Sequence, residues 1–117
     1  MEIKQNSIWM VRLGKYKVGH EQAGTRPFYV ISNDRYNTNS KTPIGFFLST
    51  SSKKASNRFT IDVGTNGVAD TVNISQIRTL SEDRFIKQMD EGNNEQLSEI
   101  MTLFNSTIVQ LGDTWMY

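Results

Sequence analysis

The chain contains no cysteine and only one histidine, His20. The first absence excludes disulfide frameworks, thiolate nucleophiles and cysteine-ligated zinc. The second excludes two-histidine metal sites and any acid–base mechanism built on a pair of imidazoles. No apolar run approaches the ~18 residues that a membrane-spanning helix needs. The opening Met1-Glu2-Ile3-Lys4-Gln5-Asn6 lacks the basic-then-apolar pattern of a secretory leader, so a soluble, cytoplasmic protein is expected.

A large charge of one sign is also missing. Thirteen basic residues against twelve acidic ones leave a net charge of +1. That excludes a strongly basic, nucleic-acid-coating protein but leaves room for a local phosphate site. The charges are unevenly spread. From Arg12 to Arg58 the chain carries Arg12, Lys15, Lys17, Arg26, Arg35, Lys41, Lys53, Lys54 and Arg58 against only Glu21 and Asp34. Most of the acid falls between Asp62 and Asp113, an asymmetry that points to one anion-attracting side.

What is present suits one domain over residues 1–117. The 37% of hydrophobic residues can build a core without metal or disulfides. Ser7 to Leu13 is rich in β-formers and reads as a first strand, and Phe28 to Ser32 as a second, ended by Asn33-Asp34. The segment between them, Gly14 to Thr25, is long for a loop, and such loops are often functional. Asn37 to Thr42 reads as another polar loop, and Ile44 to Leu48 as a strand buried on both faces. Phe59, Ile61 and Val63 alternate with Arg58, Thr60 and Asp62, the period of a half-buried strand. Thr71 to Ile74, Ile77 to Leu80 and Phe85 to Met89 are further short strand candidates.

The C-terminal third changes period. Leu97, Ile100, Met101, Phe104, Ile108 and Leu111 form one apolar stripe at helical spacing, expected to pack on the core. Asn93 with Gln96 forms a candidate capping box, and Gly112 a stop. Trp9 is expected in the core or at an interface. The apolar tail Trp115-Met116-Tyr117 is expected to dock on its own domain. Short strands followed by one amphipathic helix predict an α+β fold with a curled antiparallel sheet, a small barrel.

Five segments carry more than periodicity. Ser7-Ile8-Trp9-Met10-Val11 leads to Gly19-His20-Glu21-Gln22-Ala23-Gly24-Thr25-Arg26-Pro27 and then Val30-Ile31-Ser32-Asn33-Asp34. Leu48-Ser49-Thr50-Ser51 and Gln76-Ile77-Arg78-Thr79-Leu80 follow in order. Together these resemble the MazF/PemK/Kid toxins, whose loop has the form G-x-E-Q-x-G-x-R-P, over nearly the whole chain. The resemblance implies an SH3-like β-barrel shared with CcdB, working as a homodimer. It also implies an endoribonuclease of a type II toxin–antitoxin system, needing no metal or other cofactor. The partners implied are single-stranded mRNA, a cognate antitoxin, and operator DNA only through the toxin–antitoxin complex; no membrane is involved.

Internal attack by a ribose 2′-hydroxyl needs a proton acceptor, a proton donor to the leaving 5′ oxygen, and fixed positive charge on the phosphoryl oxygens. Arg26 suits the last role, since its planar fork matches phosphate and stays charged. Ser49 or Thr50 can add a hydroxyl; adjacent strand residues face opposite sides, so only one of them points inward. His20 and Glu21 are the nearby groups able to carry a proton. Gln22, Thr25, Lys17, Lys53, Lys54 and Arg78 are candidates for RNA contact, and Gly24 is expected for its backbone conformation. One departure stands out: Ser75 occupies a position that is usually acidic in the family. Two other functions fit the same fold, a CcdB-like gyrase inhibitor and a catalytically decayed RNA-binding module.

Overall fold

The computed structural model describes residues 2–14, 24–49, 60–62 and 71–110. Among these described residues, six strands pair antiparallel in one sheet of order β4-β5-β3-β2-β1-β6. They are β1 (Ser7–Arg12), β2 (Thr25–Val30), β3 (Ile44–Ser49), β4 (Thr60–Asp62), β5 (Thr71–Thr79) and β6 (Phe85–Glu91). Helix α1 (Asp34–Ser40) joins β2 to β3, and helix α2 (Asn94–Phe104) follows β6. The fold is therefore α+β with an antiparallel sheet and a C-terminal helix, as the change of period predicts.

Strand alternation sorts the side chains into two clusters, one on each face. Ile8, Tyr29, Phe46, Leu48, Val72 and Ile74 are buried together with Ile100 of α2. Trp9, Val11, Phe28, Val30 and Phe85 gather on the other face with Ile3. Successive strand residues point to opposite faces, which is why Phe28 and Tyr29 fall in different clusters. Both faces being apolar explains the unbroken apolar run Ile44–Leu48.

Three expectations are corrected. Asn37–Thr42 is not simply a polar loop, because Asp34–Ser40 forms helix α1. The helix has no apolar stripe to betray it. It is held by the Asn33 cap, whose side chain accepts from the Tyr36 N–H, and by buried Asn37, whose amide donates to the Ile3 and Ser32 carbonyls. Asn33-Asp34 is thus a helix start rather than a plain turn. The two short strands predicted within Thr71–Leu80 are one strand, β5, interrupted by a bulge. Finally, only part of the predicted helical stripe packs. Ile100 is fully buried, while Met101 and Ile108 are each 48% exposed. Met101, next to Ile100 within α2, falls at the outward edge of the stripe, whereas Ile108 lies past the end of the α-helix at Phe104, in a π-turn over Asn105–Val109 that shifts the stripe out of phase. The Asn93–Gln96 capping box forms as predicted, with both reciprocal bonds present.

Asn6 joins distant parts of the chain. Its backbone lies in the left-handed region at φ 71°. Its side-chain amide donates to the Gly92 and Asn93 carbonyls, 2.7 and 3.1 Å, and its side-chain oxygen accepts from the Tyr29 hydroxyl. Tyr29 is fully buried, and burial pushes its hydroxyl pKa well up from the ordinary value of 10.0.

Candidate active site

Arg26 is set by its neighbour in sequence. The β2–β3 ladder pairs Val30 with Gly45, Tyr29 with Phe46 and Phe28 with Phe47. One step further the register would face Leu48 with Pro27, which has no N–H to donate. The Leu48 carbonyl instead accepts from the Arg26 guanidinium at 3.3 Å. Two steps along from Phe28, Arg26 lies on the face away from α2, as Phe47 does. The guanidinium sits 4.6 Å from the Phe47 ring centroid, a cation–π contact.

That contact ends a chain of aromatic rings. Trp9 meets Phe85 edge to face at 5.8 Å, Phe85 meets Phe28 at 5.8 Å, and Phe28 meets Phe47 at 5.3 Å. Rings in this arrangement lock one another's rotamers. Arg26 therefore rests on a platform braced through the core rather than on a free side chain.

A second cation shares the face. Arg78 on β5 pairs with Gly45, which pairs in turn with Val30, so Arg78 lies on the Arg26 face. The strands approach closely here: a Cβ added at Gly45 would lie 1.8 Å from the Tyr29 carbonyl oxygen. The Arg26 pKa is lowered from its ordinary value first by burial and then by the charge of Arg78. Arginine remains a cation at neutral pH even so. Among the described residues neither guanidinium has a carboxylate partner; Arg26 bonds the Leu48 carbonyl and Arg78 the carbonyl of Ile77. Two cations on one face, with no carboxylate partner among the described residues, attract an anion.

Ser49 also shares this face, two residues beyond Phe47, and is exposed opposite Thr71 of β5. Thr25 pairs with Arg12 and, by alternation, points to the other side of the sheet from Arg26. Gly24, at φ +119°, adopts the left-handed backbone expected of it. His20, Glu21, Gln22, Lys17, Thr50, Lys53 and Lys54 lie outside the described residues, as does the Trp115–Tyr117 tail. Among the described residues there is no group of three potential metal-ligating side chains, and no helix is long and apolar enough to cross a membrane.

Sequence reasoning passed over Phe47 and Asn73. Phe47 is legible only once the register is known, since its partner Phe28 lies two residues from Arg26. Asn73 carries a fainter signal, a polar residue inside the β-branched run Thr71–Ile74. It is buried, and Ser75 bonds to its side-chain oxygen twice, through the backbone N–H at 3.1 Å and the hydroxyl at 2.7 Å.

The architecture that carries this site is that of the MazF proteins. The crystal structure of MazE–MazF (Form-III) from Deinococcus radiodurans superposes with a TM-score of 0.76 at 18% identity, covering 95% of this chain and 100% of that one. MazF (Form-I) from the same organism gives 0.72 at 21% identity, covering 94% and 99%. An endoribonuclease in complex with its cognate antitoxin from a Mycobacterial species gives 0.71 at 17% identity, covering 95% and 97%. At such identities the likeness is one of fold. No curated protein sequence matches the chain. The family assignment comes from residues 4–108, which match the PemK-like, MazF-like toxins of type II toxin–antitoxin systems, and the chain belongs to that family.

Proposed function

We propose that the protein is the toxin of such a system and acts as a sequence-selective endoribonuclease on single-stranded mRNA. The observation that carries this reading is the Arg26 guanidinium, seated on Phe47 beside Arg78, with no carboxylate partner among the described residues. Such a face suits an anion, and membership of the toxin family supports reading that anion as RNA phosphate.

The reaction follows from that placement. The ribose 2′-hydroxyl attacks the adjacent phosphorus while the bond to the 5′ oxygen breaks, leaving 2′,3′-cyclic phosphate and 5′-hydroxyl ends. Negative charge grows on the non-bridging oxygens, and Arg26 opposes it from a fixed position. Ser49 adds a hydroxyl to the same phosphate; its shared face with Phe47 favours it over Thr50. Glu21 and His20 are assigned the two proton transfers, and no metal takes part. Gln22, Lys17, Lys53, Lys54 and Arg78 are assigned to RNA contact, and Thr25, which faces the other side of the sheet from Arg26, is left out of that set.

We further infer that residues 1–117 are one toxin domain whose sheet curls into a small SH3-like barrel. The apolar cluster on the face away from α2, drawing on β1, β2, β3 and β6, supports that curl. The toxin works in the cytoplasm as a homodimer. A cognate antitoxin neutralises it, and DNA is met only through the complex of the two at its operator.

Purified protein incubated with a long single-stranded RNA in EDTA should give discrete cuts, and end analysis should find 5′-hydroxyls. Intact RNA under these conditions would reject the assignment, and blocked DNA gyrase alongside it would select the CcdB-like alternative.

A further inference from the structure

Asn73 holds the one buried side-chain polar atom among the described residues without a hydrogen-bond partner, its amide nitrogen Nδ2. The residue is only 7% exposed. A buried donor left without a partner is costly, so a fold that keeps one calls for an explanation. The O/N assignment is fixed by chemistry. The Ser75 backbone N–H can only donate, so the atom it meets at 3.1 Å must be the Asn73 oxygen. The Ser75 hydroxyl reaches the same oxygen at 2.7 Å. The amide is thus held in one orientation with its NH2 group turned away from Ser75.

The direction of that group follows from the strand. Val72 and Ile74 belong to the helix-side cluster, so Asn73 and Thr71 project to the opposite face. That is the face of Arg26, Phe47 and Ser49, and Thr71 pairs directly with Ser49. The backbone is shaped to place Asn73 there. Between the pairs Leu48↔Val72 and Phe46↔Ile77, β5 advances five residues while β3 advances two. The surplus is a bulge across from Phe47, closed by the Asn73–Ser75 bonds. Bulges of this kind re-aim side chains next to active sites.

We propose that the Asn73 amide is a fixed donor to a phosphoryl oxygen of the bound RNA, and that Ser75 is the positioning residue that holds it there. This rests on reading the Arg26 face as the RNA groove. Phosphate fits better than a base. Both lone-pair sites of the Asn73 oxygen are taken by Ser75, so the side chain offers donors only. Reading adenine with an asparagine needs a donor and an acceptor together. A donor on the same face as two guanidinium cations matches an anionic oxygen. The serine at the usually acidic position gains a purpose here. A carboxylate could only accept, and would draw the NH2 group toward itself.

The test uses the 15N-labelled full chain, titrated with inorganic phosphate and separately with a 2′-O-methylated single-stranded RNA that cannot be cleaved. The Asn73 NH2 resonances should shift in both titrations. Ser75→Ala should weaken that shift, and Ser75→Thr, which keeps the hydroxyl, should restore it. Asn73→Leu gives up the two Ser75 bonds to Oδ1 and should melt several degrees below the parent, yet its folded fraction should cleave a long RNA transcript about 100-fold more slowly, the usual effect of losing one such donor. An Asn73 resonance that stays still while the Arg26 Nε–H moves would overturn the proposal without needing any variant. So would folded Asn73→Leu protein cleaving within threefold of the parent rate. A parent protein that shifts at Asn73 but leaves RNA intact would sink the nuclease assignment and keep the phosphate donor. A parent that cleaves while Asn73 stays silent would do the reverse.

Discussion

The two faces of the sheet are built from the same alternating strands but are finished differently. The face under α2 is closed mainly by aliphatic side chains, with Ile100 fully buried against Ile8, Leu48, Val72 and Ile74. The opposite face is aromatic, and its ring chain Trp9–Phe85–Phe28–Phe47 ends on a guanidinium. Both exclude water, so burial alone does not separate stability from function. The difference lies in what the last side chain can do. Aliphatic packing ends in more packing, whereas the ring chain ends in a positioned charge.

That contrast can be broken by substitution. Arg26→Ala should lower single-turnover RNA cleavage by about 10³-fold, near the upper end for one electrostatic donor, while the urea midpoint changes little. A variant cleaving at the parent rate would remove Arg26 from the site. Ile100→Ala should do the opposite, costing about 2–5 kcal/mol in urea unfolding with the folded fraction still cleaving normally. Met101→Ala, one residue along but 48% exposed, should cost no more than about 0.5 kcal/mol. Equal losses at positions 100 and 101 would refute the described helix phase. Phe47→Leu should cut cleavage about tenfold and stability by about 1 kcal/mol, because the platform goes while most of the apolar volume stays. A stability loss with unchanged cleavage would mean that Arg26 does not depend on the ring.

The smallest effect concerns pH. Tyr29 has a raised pKa in the folded chain, so its neutral form is the one the fold favours. Its contribution is complete below the ordinary tyrosine pKa of about 10 and declines as pH rises past it, because the unfolded chain then releases the proton first. Tyr29→Phe should be slightly less stable than the parent at pH 7, and the gap should narrow or invert above about pH 10. A constant gap across that range would contradict the burial of the hydroxyl.

The strand order was not legible in the sequence, but the strands themselves largely were, because β-branched and aromatic runs bounded by turn residues leave a clear period. Helix α1 was hidden because its stabilising groups are polar: the Asn33 cap and the buried Asn37 amide replace the apolar stripe that betrays a helix. The bulge in β5 was visible only as a gap between two strand candidates, since register depends on a partner strand far away in sequence. At the site, Arg26 stood out through its motif. Phe47 and Asn73 did not, because one acts through a cross-strand neighbour and the other through a bond it does not make.

Asn6 carries a consequence for how the protein is born. Its side chain clasps Gly92 and Asn93 at the threshold of α2 and holds the Tyr29 hydroxyl at the same time. These contacts join residue 6 to residues 92 and 93, and such long loops close slowly. A ribosome must release residue 93 before the clasp can shut. Until then the first strands lack the cap that α2 provides, so the sheet is completed only after α2 has emerged.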